Sequence, residues 1–397
     1  MSLNVDKVRE DFSILQKKIV YFDNSCMTLR PKQVIAAMNQ YYEEFPACAG
    51  RSMHSLGNKI TQEVDFARKQ IRKHIGAKRD QELIFTRNTT EAINLLSKSF
   101  KFQKGDKIVI SDKEHNSNLL PWQIMAEKGL IKLEVVNSNP DNTLDLDDFE
   151  TKIKGAKMLC IVHTSNIDGV TNPVKDLIKR AHKEGALVML DAAQSVPHKE
   201  VNVRNLDVDF LAFSAHKMLG PSGMGAFYGK RELLENMNPF LVGGETVKDT
   251  TFNSRVWEEL PNRFEAGLQD YAGILGFSQA TKYLEKIGKR NIEKHEIKLT
   301  KQLTERLDDY NILGPRNAEQ RGGITSFYKK GIDPHQIALL LDSTSKVMIR
   351  SGAHCAHSYF NLRDSPGTAR ASVYLYNTEE EVEIFKSAIN KIKSILH

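Results

Sequence analysis

No stretch of the chain is apolar for long enough to span a bilayer, so a membrane protein is not expected. Its first residues, Met1-Ser2-Leu3-Asn4-Val5-Asp6-Lys7, lack the apolar core of a secretory leader, and the expected compartment is the cytoplasm. No CxxC pair occurs among the four cysteines, at positions 26, 48, 160 and 355. Neither a zinc site nor a disulfide framework is therefore indicated, and no metal is expected. No basic stripe with interleaved aromatics appears either. The net charge of +6 comes from lysines and acids that are interspersed, so nucleic acid is not an expected partner. Repeats and low-complexity segments are also missing.

What is present is a soluble globular composition, 40% hydrophobic and 27% charged, with a mean hydropathy of −0.42. A length of 397 residues is too great for one ordinary core and suggests a large and a small domain. Short apolar runs predict strands over 82–85, 107–110, 132–136, 158–163, 187–190, 210–213 and 225–228. Helix-period segments lie between them. One carries Ile60, Val64, Ala67, Ile71 and Ile75 and stops at Gly76. Strands alternating with helices imply a mostly parallel sheet covered on both faces. Beyond about residue 280 the pattern changes to a long helical stretch over 279–307 and short strands near 324–328 and 346–349. A last helix opens at Thr378 with Glu381 three residues on, and Val382, Phe385, Ile389 and Ile392 line one face. The division expected is a large domain over 21–280 and a smaller α/β domain made of 1–20 and 281–397.

The polar residues that matter fall at the predicted strand ends, where open α/β sheets bind ligands. The run 210–213 leads to Ser214-Ala215-His216-Lys217, and the run 187–190 ends at Asp191 with Gln194 three positions on. A lysine and a carboxylate at neighbouring strand ends are what pyridoxal phosphate (PLP) requires. The amine carries the aldehyde, and the acid keeps the pyridine nitrogen protonated. A free lysine titrates near ~10.4, so burial and cationic neighbours must lower it for work near neutrality. Thr89 and Thr90 stand at a predicted helix start, where free N–H groups and hydroxyls suit a phosphate or simply cap the helix. His115 follows the run 107–110 and can stack on a flat ring or be an ordinary loop histidine. Asn166, after 158–163, can donate to a cofactor or substrate oxygen or serve a turn. Asp191 can equally cap the helix that follows it. Ser214 and His216 offer further phosphate donors.

Four motifs then carry a resemblance: Asp191-Ala192-Ala193-Gln194-Ser195; Phe213-Ser214-Ala215-His216-Lys217-Met218-Leu219-Gly220-Pro221; Arg350-Ser351-Gly352-Ala353-His354-Cys355-Ala356; and Thr368-Ala369-Arg370-Ala371-Ser372-Val373-Tyr374-Leu375-Tyr376-Asn377. With them the chain, from about Tyr21 onward, resembles the class V aminotransferase family, and within it the SufS-like, group II cysteine desulfurases. The resemblance implies a fold type I PLP-dependent transferase, a homodimer with its site near the subunit boundary. It implies Lys217 as the cofactor lysine, Asp191 on the pyridine nitrogen, Gln194 on the ring oxygen and His115 stacked on the ring. Thr89, Thr90, Ser214 and His216 would hold the phosphate. Arg370 would clamp the substrate carboxylate, with Asn166 assisting. Cys355 would take sulfur from L-cysteine as a persulfide, leaving alanine, and pass it to an acceptor protein for iron–sulfur cluster assembly or thiolation. A cysteine attacks as its thiolate, and His354, Arg350 and Arg370 are the neighbours that would assist it.

Three departures from the family pattern stand out. Ala353 replaces a histidine, Leu268 replaces a threonine that reaches the partner's phosphate, and Asp23-Asn24-Ser25-Cys26-Met27-Thr28, with Gly50, alters the substrate side. Cys26 and Cys48 can be an active-site feature or merely small side chains, of which the second is the expectation, and Cys160 is read as a buried strand residue. Other readings are a class V enzyme in which Cys355 carries no sulfur (a selenocysteine lyase, an aminotransferase or an epimerase) and a scaffold without turnover. The retention of Lys217, Asp191 and Arg370 argues against the scaffold.

Overall fold

The apolar runs become a seven-stranded sheet in a computed structural model that describes residues 3–396. The strands are β1 (Leu83–Thr86), β2 (Asp106–Ser111), β3 (Ile131–Val136), β4 (Met158–Val162), β5 (Leu187–Asp191), β6 (Phe210–Ser214) and β7 (Gly225–Gly229). Across the sheet they run β1-β7-β6-β5-β4-β2-β3. All neighbours are parallel except those of β7, which is antiparallel to β1 and β6. Each lies within about a residue or two of its expected place; Glu82 belongs to the preceding turn and His163 to the following loop.

Burial on both faces explains why these strands read as unbroken apolar runs. Successive side chains point to opposite faces. Along β6, Phe210 and Ala212 join one apolar cluster with helices Thr89–Ser99 and Asn116–Glu127. Leu211 and Phe213 join the other, with helices Ser55–His74 and Tyr271–Ile287. β2 divides in the same way, Ile108 and Ile110 on one side and Val109 on the other. Each large apolar side chain so buried contributes about 1.5–3 kcal/mol.

The single helix expected over 279–307 is instead two, Tyr271–Ile287 and Lys289–Glu305, with Gly288 at φ +87° between them. A side chain would disfavour that conformation. The apolar pattern runs through the break (Leu284, Ile287, Ile292), so periodicity alone does not reveal it. Beyond it lies a four-stranded antiparallel sheet in the order Asn311–Ile312, Ile324–Tyr328, Thr368–Ser372, Arg350–Gly352. The strand expected near 346–349 is Val347–Met348, which pairs in parallel with Val20–Tyr21 and so ties the N-terminal segment to this region. The last helix, Glu379–Lys393, opens as expected. Thr378 accepts from the Glu381 N–H, and the Glu381 carboxylate accepts from the Thr378 N–H. Such a cap contributes about 1 kcal/mol.

Two buried histidines set an acid limit on stability. Burial lowers the His74 imidazole to about 4 and that of His163 to about 3, so both are neutral in the fold. In the unfolded chain each would protonate near ~6.5. Below that pH the unfolded state binds more protons, and stability must fall with pH. The expected result is a denaturant midpoint that drops steadily from about pH 6.5 toward 4, each group costing on the order of 2–3 kcal/mol at the lower end. Equal midpoints at pH 7 and pH 5 would contradict it.

Candidate active site

The carboxyl ends of β1, β2, β4, β5 and β6 open into one cavity of about 230 Å³. All eleven residues singled out from the sequence line it. Two of them, Cys355 and Arg370, come from the far side, from the small antiparallel sheet and the turn after Arg350–Gly352.

Asp191 ends β5 opposite Ala212 of β6. Two residues past Ala212 the chain leaves the sheet and turns through Ala215–Lys217, which brings Lys217 to the neighbouring strand end. Burial lowers the Lys217 amine from its ordinary range; Asp191 pulls it back up, and Arg370 adds to the lowering. The amine enters no hydrogen bond or ion pair among the described residues. Burial raises the Asp191 carboxyl, countered by the Ala193 N–H at 3.0 Å and by Lys217. Asp191 thus makes the turn contact of a cap while still facing the cavity.

The helix Thr89–Ser99 is capped by Asn88, whose Oδ1 accepts from the Glu91 N–H at 2.9 Å. The threonines are therefore its first residues and leave the early N–H groups toward the cavity. The Thr89 N–H donates to Ser214 Oγ at 2.9 Å, and Thr90 Oγ1 lies 2.7 Å from Ser117 Oγ. Gly225 permits this approach, since a Cβ there would lie 2.7 Å from the Asn88 Cα. His216 is held neutral near 4, first by burial and then by Lys217.

His115 caps the next helix, its Nδ1 accepting from the Ser117 N–H at 3.1 Å. Burial, then Lys217 and the arginines, lower its imidazole to about 3, so it is neutral rather than a solvated loop histidine. The residue before it, Glu114, escaped the sequence reading. It is 3% exposed and accepts from Ser111 Oγ at 2.5 Å, Asn118 Nδ2 at 2.7 Å and the Val162 N–H at 3.0 Å. Burial raises it to about 7, and Asp191 adds to the rise. Only tertiary contact reveals it, because a strand-end glutamate carries no sequence mark of burial.

Gln194 Nε2 donates to the Ser25 carbonyl at 2.7 Å, and its Oε1 is buried without a partner. Asn166 lines the cavity and also braces its wall. Its Nδ2 donates to the His354 carbonyl at 2.7 Å, and its own carbonyl accepts from Arg370 Nη1 at 2.7 Å. Arg370 is 2% exposed, its Nη2 is 3.5 Å from Asp23 Oδ1, and its Nε is unpartnered. An incoming carboxylate would have only that long contact to displace. Cys355 and His354 both adopt left-handed conformations (φ 59° and 49°), and the Cys355 carbonyl accepts from the Asn116 N–H at 2.7 Å. Non-glycine residues so held mark a site where structure overrides local preference. His354 is not a cation here: burial, Arg370 and Arg350 push it well below its ordinary range. Positive charge near Cys355 therefore comes from Lys217 and the arginines of the cavity rather than from His354.

The departures also have places. Ala353 packs beside an apolar cluster of Ile167, Ala356, Tyr359 and Phe360, where a small apolar side chain is at home. Leu268 is 67% exposed, and the neighbouring Gln269 donates from Nε2 to the carbonyls of Ala266 and Gly267. Cys48 lies apart from the cavity, but Cys26 lines it and accepts from Arg350 Nη1 at 3.0 Å. Reading Cys26 as a mere small side chain is therefore corrected.

The donor set fits PLP. It offers one free amine, a carboxylate at the next strand end, a helix start with hydroxyls for a phosphate, and two buried polar atoms, Gln194 Oε1 and Arg370 Nε, that lack partners. Among the described residues no cluster of acids, histidines and cysteines could hold a metal ion, and no helix is long and apolar enough to cross a membrane.

Residues 20–385 match the family model for aminotransferase class-V. The chain is 43% identical to a probable cysteine desulfurase of Pyrococcus abyssi over 98% of its own length and 97% of that protein's. It is 35% identical to a cysteine desulfurase of Haloferax volcanii, covering 99% and 98%. Among solved structures it is similar to the apo cysteine desulfurase of Thermococcus onnurineus NA1, with a TM-score of 0.96, 41% identity and coverage of 100% and 99%. The cysteine desulfurase CsdA of Escherichia coli, in an S-sulfonic acid form, matches with a TM-score of 0.91 and 30% identity over 99% of both chains.

Proposed function

Because the chain belongs to the class-V aminotransferase family and shares the PLP-dependent fold of cysteine desulfurases, we propose that it converts L-cysteine to L-alanine and keeps the released sulfur as a persulfide on Cys355. The observation that carries this reading is the position of Cys355 on the same cavity as Lys217, Asp191 and Arg370.

PLP, when bound, supplies an electron sink that labilises the bonds around the substrate's α carbon. Lys217 would carry it, Asp191 would hold the proton on its ring nitrogen, and His115 and Gln194 would border the ring. Thr89, Thr90, Ser214 and His216 would hold its phosphate. Arg370 orients the substrate carboxylate through its free Nε, in the fork geometry suited to that group. Lys217 Nζ is the base for the proton on Cα, and its lowered affinity for protons suits that task. Cys355 Sγ takes the substrate sulfur, so one S–S bond forms as one C–S bond breaks. Asn166 steadies both ends of this arrangement through the His354 carbonyl and Arg370.

The same reading divides the chain into a large cofactor-binding unit (21–280) and a smaller one (1–20 with 281–397) that brings Cys355 and Arg370. It implies a cytoplasmic homodimer that delivers sulfur to an acceptor protein for iron–sulfur cluster assembly or thiolation. Leu268, a large apolar side chain left 67% exposed, supports a subunit contact.

Incubating the holoenzyme with L-cysteine and a reductant is expected to yield alanine and sulfide in equal amounts. Alanine without sulfide, or pyruvate in place of alanine, would overturn the reading.

A further inference from the structure

Behind the cavity wall lies a buried ion pair that the proposed chemistry does not use. Lys113 Nζ is 3.1 Å from Asp168 Oδ2, and neither side chain has any exposed surface. The same amine donates to the Asn142 carbonyl at 2.5 Å. Asp168 Oδ2 accepts a second bond from Asn142 Nδ2 at 3.1 Å, and its Oδ1 accepts from the Val170 N–H at 2.9 Å. Asn142 stands in the left-handed region (φ 66°), which asparagine tolerates better than most residues. Its Oδ1 accepts from the Tyr359 hydroxyl at 2.8 Å. None of these four residues is among those that line the cavity.

So enclosed a pair is a poor source of stability, because removing both charges from water can cost more than their attraction returns. What it fixes here is geometry, since the network joins segments that carry the site. Lys113 stands two residues before His115, Asp168 two after Asn166, and Tyr359 four after Cys355. Tyr359 belongs to the helix His357–Leu362, which follows the Cys355 turn directly. Other polar contacts tie this region to the loops of the large sheet, but they are solvated. Asn116 Nδ2 meets His357 Nδ1 at 3.0 Å on the exposed surface. Arg363 Nη2 donates to Asp112 Oδ2 at 2.8 Å with its own side chain 30% exposed, and water weakens such pairs. The Tyr359–Asn142 bond has both partners buried, 2% and 5% exposed.

We propose that Tyr359, received by Asn142 on the Lys113–Asp168 pair, is a positioning residue for sulfur transfer, setting where the Cys355 turn stands against the strand ends of the large sheet. It acts through its own helix and touches neither substrate nor cofactor. Placement matters more for this step than for the others. Sγ must meet the substrate sulfur in line with the C–S bond that breaks, and a misplacement of about 1 Å can cost on the order of 100-fold. Binding L-cysteine and moving its Cα proton do not involve Sγ. The proposal rests on the reading of Cys355 as the sulfur acceptor and deepens it.

The test compares two substrates on the holoenzyme. L-Cysteine needs an acceptor thiol, whereas the chloride of β-chloro-L-alanine leaves with its own electron pair and needs none. In Tyr359→Phe, kcat for sulfide release is expected to fall by about 10- to 100-fold. KM for L-cysteine and the rate of chloride release stay as in the parent, the pattern of an interaction that serves one step only. Parent-like sulfide release overturns the proposal, and so does a parallel fall with both substrates, which is what a merely structural bond would give. A readout without turnover is the alkylation of Cys355 by iodoacetamide in the cofactor-free protein, followed by peptide mapping. The freed turn is expected to label faster than in the parent while Cys26 labels as before; an equal or lower rate at Cys355 overturns the proposal. Lys113→Met combined with Asp168→Asn removes both charges together and strands neither. It is expected to show the same selective loss, and parent-like sulfide release in it overturns the part given to the pair. If that double variant does not fold, Tyr359→Phe decides alone. Undiminished sulfide release in Cys355→Ala would instead overturn the underlying reading of Cys355.

Discussion

Replacing Lys217 with alanine abolishes the yellow, borohydride-trappable PLP adduct and lowers alanine formation from L-cysteine by at least about a thousandfold, the range for losing a positioned acid–base group. The loss is expected to be this large because one amine has two tasks, carrying the cofactor and moving the proton on the substrate's Cα. No other lysine can replace it. Lys113, the other deeply buried lysine near the strand ends, is fully enclosed, 3.1 Å from Asp168 Oδ2, with its amine also donating to the Asn142 carbonyl at 2.5 Å. The fold should survive, since the Lys217 amine makes no hydrogen bond whose loss would strand a partner. The measurement is the visible spectrum of the purified variant with added PLP, followed by peptide mapping after borohydride. A trapped adduct on any other lysine would refute the assignment.

The second large effect separates sulfur chemistry from cofactor binding. Cys355→Ala is expected to stay yellow and to bind L-cysteine, as read by the spectral change on adding it, while sulfide release falls by on the order of a thousandfold or more, as removal of a nucleophile does. The two readouts part because Cys355 belongs to the turn after Arg350–Gly352 and not to the strand ends of the large sheet, which carry the residues expected to hold the cofactor. Cys355→Ser is the companion variant. It retains the size and the left-handed backbone demand of the original (φ 59°), so an effect shared by both variants belongs to sulfur and not to strain. Sulfide release at the parent rate in either variant would show that Cys355 is not the acceptor.

These expectations draw on residues of different legibility. Lys217, Asp191 and the threonines were readable because strand ends in an α/β sheet point the same way, and a local run is enough to locate each end. Cys355 and Arg370 were assigned only through family resemblance, since Cys355 lies in a turn and the strand of Arg370, Thr368–Ser372, is made of small and polar residues with no apolar run. Glu114 was missed because neither its neighbours in sequence nor its type signals that Ser111, Asn118 and Val162 will close around it. The break at Gly288 was missed because the apolar pattern continues across it.

The local chain by itself determined the alternation of strands and helices, the place of each strand of the large sheet and the order in which polar groups follow them. These depend on side-chain period and turn chemistry, which act over a few residues. Only the tertiary structure decided that Arg350 would donate to Cys26 across 324 positions, that Asn166 would brace His354, and that His354 would be neutral. Hydrogen-bond partners and the cost of burying charge are set by what surrounds a group in space, and residues far apart in the chain supply those surroundings.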